Sequence, residues 1–294
     1  MAPRLPVSLA ALNEMPRHQI AELLGDVFEH APWIAEAAAA HAPFPSVATL
    51  HQAMLAELDA ASADRIAQFL SDHPDLAGPA ARSQMLTDES AREQARAGLD
   101  RLSTEQTAFL TERNAQYRAR FGFPFIICAL RHSRDSIFAE LERRLSREVA
   151  EERRAALAEI ARITALSLAR KVGGPGMPSV YGCLSTHLLD TTRGRPAAGV
   201  PIELYLLSQD GSGDLVATAT SNEDGRTEAP LIAGRPIPNG TYELRFRVGG
   251  YLAAQGHPPF LDMVPVRFAT TEPEAHYHIP LLFTPWSYST YRGS

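Results

Sequence analysis

Apolar residues recur with one period before residue 172 and with another after residue 178, so one kind of secondary structure cannot serve the whole chain. Up to Lys171 the sequence is dominated by Ala, Leu, Glu, Gln and Arg, which are good helix formers. Leu55, Leu58, Ile66, Phe69 and Leu70 fall at roughly helical spacing. Ser103 followed by Gln106 predicts a capping box opening a helix that runs toward Arg120. Val149, Ala156, Leu157, Ile160, Ile163 and Leu166 mark a long amphipathic helix over 149–168. Its charged residues, Glu151, Glu152, Arg153 and Arg154, read as a solvated surface.

Val172-Gly173-Gly174-Pro175-Gly176-Met177-Pro178 cannot continue that helix and reads as a linker. Beyond it the period is two. Val200, Ile202, Leu204 and Leu206 alternate along one strand, and Tyr242, Leu244, Phe246 and Val248 along another. Asp210-Gly211, Asp224-Gly225 and Asn239-Gly240 stand at turn positions. The expectation is a multidomain chain: an all-α helical domain over 1–171, a linker over 172–178, and an all-β sandwich over 179–294.

Charge and cysteine content narrow the function classes. The net charge of -6 is shared evenly, -3 on each side of Val172, so neither half is a basic nucleic-acid binder. Lys171 is the single lysine and sits at the domain boundary, which argues against Schiff-base chemistry. Cys128 and Cys183, one per half, make neither a disulfide framework nor a zinc set. They suit a reducing cytoplasm. No secretory leader, membrane span or Ser-Lys-Leu tripeptide is read, so cytoplasmic placement and no membrane partner are expected.

In the second half, His187 lies in Leu184-Ser185-Thr186-His187-Leu188-Leu189-Asp190, and Arg226 follows Asn222-Glu223-Asp224-Gly225. His276 and His278 flank Tyr277 in a strand and share a face. Taken alone they fit a plain surface strand, or half of a metal site lacking its other ligands. The opening segment continues as Thr191-Thr192-Arg193-Gly194-Arg195-Pro196, and the sequence closes on Tyr291-Arg292-Gly293-Ser294. Together these two end motifs resemble the transthyretin-like 5-hydroxyisourate hydrolases over 179–294. A small departure is Phe283-Thr284-Pro285, where the family more often has Leu-Ser-Pro. The resemblance implies catalytic roles for His187, Arg226, His278 and Ser294, and a place for Tyr291 in the same pocket. It implies imidazoles that activate water and a guanidinium that clamps a carbonyl, with no metal. It also implies tetramers with sites in a channel between subunits. His276 reads as a strand neighbour of the catalytic position.

In the first half, His73-Pro74-Asp75-Leu76-Ala77-Gly78 ends one helix. Ser90, Glu93 and Gln94 share a face of the next, and Gly122-Phe123-Pro124-Phe125-Ile126-Ile127 follows a third. Singly these read as a helix-end histidine, surface polar residues and a core loop. In this order and spacing they resemble the 2-oxo-4-hydroxy-4-carboxy-5-ureidoimidazoline (OHCU) decarboxylases over about 9–168. The resemblance implies that His73 is the acid/base, supported by the Glu93 carboxylate. Pro74, Ser90 and Gln94 would line the substrate site, with backbone groups offered by Phe125, Ile126, Ile127, Cys128 and Ala129. It implies no cofactor and a dimeric assembly. One departure concerns the last helix, where the family usually has Leu-Arg-Leu and this chain has Leu166-Ser167-Leu168. Arg170 or Arg162 would then replace that arginine from a nearby turn.

The product of the hydrolase reaction is the substrate of the decarboxylase. Fusing the two raises the local concentration of the second site around a product that otherwise decays to a racemate. The expected partners are therefore small-molecule substrates, 5-hydroxyisourate and OHCU, with a homo-oligomeric assembly and no nucleic acid. Two rival readings remain at this level. One is an active hydrolase with a weakened helical half, motivated by Ser167; the other is a transthyretin-like binding or scaffold protein.

Overall fold

A computed structural model describes residues 6–76, 93–95, 97–258 and 260–293. The chain divides into two compact units: residues up to Ala129 with Ile137–Val180, and Leu130–Ser136 with Tyr181–Ser294.

The first unit is helical. Its described elements include α1 (Leu9–Asn13), α2 (Arg17–Leu24), α3 (Pro32–Ala38), α4 (Val47–Asp59), α5 (Ala63–Ser71), α6 (Thr104–Phe121), α7 (Arg134–Leu145) and α8 (Val149–Lys171). Local chemistry sets several ends. Ser46 and Ser62 cap α4 and α5 by accepting from Thr49 N–H and Arg65 N–H. The capping box at Ser103 and Gln106 opens α6, and Gly122 closes it in the left-handed conformation, φ 81°. One apolar core joins α1 to α8 through Leu12, Ile20, Ile34, Leu50, Met54, Tyr117, Ile137, Ile160 and Leu168.

Two segments depart from the sequence reading. Glu152, read as surface charge, is fully buried in α8. Its carboxylate accepts from Tyr117 Oη and from Arg144 Nε (2.7 Å), and Arg144 is itself 2% exposed. A helix period marks which face is buried, but a charge on that face is legible only from a partner distant in sequence. The stretch read as a linker is built into the helical unit. Val172 is buried, and Val172–Gly173 (β2) pairs in parallel with Val7–Ser8 (β1). The carbonyls of Pro175 and Gly176 accept from Val47 N–H and Ala48 N–H, satisfying orphan donors at the start of α4. A Cβ on Gly176, at φ +64°, would lie 2.8 Å from Ser46 Cβ, so the close approach requires glycine.

The second unit is a β-sandwich with one short helix, α9 (Val248–Ala254). One sheet has the order β11 (Tyr288–Thr290), β10 (His276–Phe283), β3 (Gly182–Asp190), β4 (Arg195–Pro196), with β7 (Ile232–Arg235) also on β3. The other has the order β6 (Gly213–Thr220), β5 (Pro201–Leu207), β8 (Gly240–Phe246), β9 (Val264–Thr270). Leu184, Leu188, Ile279, Leu281 and Phe283 from the first sheet meet Ile202, Leu204, Leu244, Phe246 and Val264 from the second. Asn239-Gly240 is not a turn: Asn239 bonds the backbone of Arg131 and Ser133, and Gly240 opens β8.

Candidate active sites

In the sandwich, β3 and β10 are parallel neighbours, with Ser185 opposite His278 and Cys183 opposite His276. Leu184, Thr186 and Leu188 point into the core, which sends Cys183, Ser185 and His187 to the other, half-exposed face. His276 and His278 share that face through the two-residue repeat of β10. Ser185 Oγ lies 2.9 Å from His276 Nε2 and 2.9 Å from His278 Nδ1. Nothing in the sequence singles out this serine, because a serine in a strand is unremarkable until the strand's neighbour is known.

Arg226 reaches the same face from a turn. Gly225, at φ +70°, accepts from Leu188 N–H at 2.8 Å. A Cβ there would lie 2.3 Å from Leu188 O and 3.2 Å from His187 Cδ2, so only glycine lets the turn press against β3 beside His187. Asn222 Oδ1 accepts from Arg226 N–H at 3.0 Å and fixes the turn. Burial first, then the Arg226 charge, lowers the pKa of His187; the Asp224 backbone and carboxylate oppose this. Burial and Arg226 lower His278 as well, with smaller contributions from His276 and His187. Both imidazoles are thus biased toward the neutral form that can accept a proton. His187 Nε2 is buried without a hydrogen-bond partner.

The C-terminal segment returns to this place. Gly293 N–H donates to His278 O at 2.7 Å, and a Cβ on Gly293 would lie 2.6 Å from His278 Cδ2. Tyr291 is exposed, and Ser294 lies outside the described residues. Among the described residues, no set of three His, Cys, Asp or Glu side chains could hold a metal ion.

The helical unit has an open cleft of about 440 Å³ lined by Glu29, His73, Pro74, Leu76, Glu93, Gln94, Phe125, Ile126, Ile127, Ala129 and Ile163. His73 sits just past the C-cap of α5, where the chain turns under Arg118, which pairs with Asp75 at 3.0 Å. Burial lowers the His73 pKa; Glu29 acts to raise it and His30 to lower it. Glu93 pairs with Arg170 (Oε1 to Nη2, 3.0 Å), whereas Arg162 pairs with Glu159. Of the two arginines near Ser167, Arg170 is therefore the one that touches a cleft-lining residue.

The Phe125–Ala129 wall is held from behind. Arg144 Nη1 donates to Ile126 O at 2.9 Å, and its guanidinium lies 4.7 Å from the Phe125 ring centre. Cys128 departs from the expected lining: its side chain is fully buried and its N–H donates to Glu159 Oε2 at 2.9 Å. Ser90 lies outside the described residues. Glu29, Leu76 and Ile163 line the cleft in addition to the expected residues. Glu29 precedes His30, whose φ of 61° is unusual for a non-glycine residue, and no periodicity marks that turn.

Comparison with known proteins places each unit. Residues 13–169 match the OHCU decarboxylase family, and residues 184–293 match the HIUase/transthyretin family. A 5-hydroxyisourate hydrolase of Deinococcus radiodurans is 52% identical over 38% of this chain and 95% of its own length. An OHCU decarboxylase of Haloferax volcanii is 38% identical over 56% of this chain and 96% of its own length. A crystal structure of an (S)-allantoin synthase is similar over 98% of this chain and 100% of that one, with TM-score 0.50 and 34% identity. The chain belongs to the OHCU decarboxylase family through its helical unit and to the HIUase/transthyretin family through its sandwich.

Proposed function

We propose that this chain is a bifunctional enzyme of urate breakdown, in which the sandwich hydrolyses 5-hydroxyisourate to OHCU and the helical unit decarboxylates OHCU to S-allantoin. The observation that carries this reading is the presence of both families on one chain, each with its titratable side chains gathered at one place.

In the sandwich, the substrate's ring carbonyl sits against Arg226, whose fork of donors stabilises the oxygen as it gains charge. A neutral imidazole, His187 or His278, takes a proton from the attacking water. Their lowered pKa values keep a lone pair available near neutral pH. Tyr291 and Ser294 complete the pocket in an assembly of several copies. The exposed aromatics Trp286, Tyr288 and Tyr291 in and beside β11 support such an assembly, since large apolar side chains at a sheet edge favour burial against another surface. A tetramer through the sandwich and a dimer through the helical unit are proposed on family resemblance.

In the helical unit, loss of carbon dioxide leaves an electron pair that delocalises into the imine-like ring. His73 then hands a proton to one face of that carbanion, which yields one enantiomer. Glu93 and Gln94 orient the ring and ureido groups, together with Ser90, Pro74 and the backbone of the Phe125–Ala129 wall. Arg170, paired with Glu93, supplies the positive charge that Ser167 cannot. No cofactor is required for either step, and placement in the cytoplasm is proposed.

A crossed pair of variants tests the assignment. His73→Ala abolishes optically active allantoin and leaves ring opening intact; His187→Ala slows ring opening and leaves decarboxylation of supplied OHCU intact. Loss of both steps in either soluble, folded variant would refute the division of labour.

A further inference from the structure

Hydrolysis of a cyclic amide has a proton balance that bears on the sandwich site. Water adds its oxygen to the carbonyl carbon, the C–N bond breaks, and the nitrogen keeps one of the water's protons. The other belongs to a carboxylic acid that is ionised at neutral pH, so one proton must leave the pocket per turnover. His278 neighbours this pocket, and its Nδ1 does not face solvent alone: it meets Ser185 Oγ, which also meets His276 Nε2, both at 2.9 Å. His276 is exposed on the outer end of this chain of contacts.

A hydroxyl has a single proton. Ser185 can therefore donate to only one of the two rings and must accept from the other. That gives the chain a direction, and the two directions differ by one shift of each proton. With His278 Nδ1–H donating to Ser185 and Ser185 donating to His276, the His278 Nε2 lone pair is free to take a proton. After it does so, the Nδ1 proton passes to Ser185 Oγ, the serine proton passes to His276 Nε2, and the proton on the far nitrogen of His276 is released. One proton enters, one leaves, and no electrons are transferred. The directional chain resets when both imidazoles return to their starting tautomers, His276 by exchange with solvent, and the Ser185 hydroxyl turns back toward His276.

We propose that His278, Ser185 and His276 form a proton relay that carries the proton of hydrolysis out of the sandwich pocket, with Ser185 and His276 as positioning residues. The inference rests on the hydrolase reading of this site. The groups around His278 are His276 on its own strand, Ser185 and His187 on β3, Arg226 from the turn, and Gly293, whose neighbour is Arg292. Arg292 is engaged by Glu272 and the Tyr277 ring. None of the others bridges two ring nitrogens as Ser185 does.

The test uses the full chain and 5-hydroxyisourate generated from urate by uricase. Ser185→Ala and His276→Gln are each expected to lower kcat for ring opening by about tenfold, a modest part of a general-base effect, with KM nearly unchanged. The double variant should lose no more than either single one, because both break the same path. Ser185→Thr should restore most of the rate, and added imidazole should speed His276→Gln by accepting the proton directly. The relay is overturned if both single variants turn over at the wild-type rate, if their losses multiply, or if Thr is as damaging as Ala. It is also overturned if imidazole has no effect. Failure of the wild-type chain to open the ring at all would instead refute the hydrolase reading.

Discussion

Replacing Arg144 by Met would test how far the decarboxylase cleft depends on a buried ion pair behind its wall. Arg144 is 2% exposed and Glu152 fully buried. Arg144→Met leaves the Glu152 carboxylate with Tyr117 Oη and with Arg147 Nη1 at 3.3 Å, but takes away its buried cation. It also removes the donor to Ile126 O and the guanidinium over Phe125. Breaking one partner of such a pair costs about 3–5 kcal/mol when the remaining charge is buried and uncompensated, and the lower end applies here because Arg147 still faces the carboxylate. Urea unfolding followed by far-ultraviolet circular dichroism, which the helical unit dominates, should show that loss. Decarboxylation should weaken in the same variant while ring opening holds. The double variant Arg144→Met with Glu152→Met removes both charges and should be more stable than Arg144→Met alone. A loss under about 1 kcal/mol in the single variant, or a double variant as unstable as the two singles added together, would refute the dependence on this pair.

Two other outcomes follow from the sites. Burial and Arg226 hold His187 and His278 below the ordinary 6.5, so both stay neutral as the pH falls through that value. Ring-opening kcat should therefore persist at pH 6.5 and decline only below it; a half-loss at or above 6.5 would contradict the assignment. Ser167 Oγ is buried with no hydrogen-bond partner, so Ser167→Ala should leave the helical unit as stable or up to about 1 kcal/mol more stable, and a clear loss in urea would show a hidden partner.

Local signals made the two architectures legible. The capping box at Ser103 and the alternation along β5 to Leu204 and along β8 to Phe246 needed no distant partner, and the two-residue spacing of His276 and His278 was enough to put both on one face. Beyond those points a bulge buries Leu207 in place of Leu206, and Val248 opens α9. What stayed hidden depends on contacts far apart in the chain. Ser185 meets His278 across 93 residues, and Glu152 meets Tyr117 across 35. The Gly and Pro residues after Lys171 correctly ended a helix, but composition could not say that their carbonyls would cap α4. Cys128 lies in a cleft-lining run, yet Glu159 occupies its amide.

The central claim is two successive reactions at two sites of one chain, and one time course reads both. Urate is oxidised by uricase in the presence of the wild-type chain while ultraviolet absorbance and circular dichroism are followed together. The account predicts that the hydroxyisourate band decays faster than without the chain and that optically active allantoin accumulates promptly. Racemic allantoin appearing at the uncatalysed rate would contradict the decarboxylase, and an unaccelerated hydroxyisourate band would contradict the hydrolase.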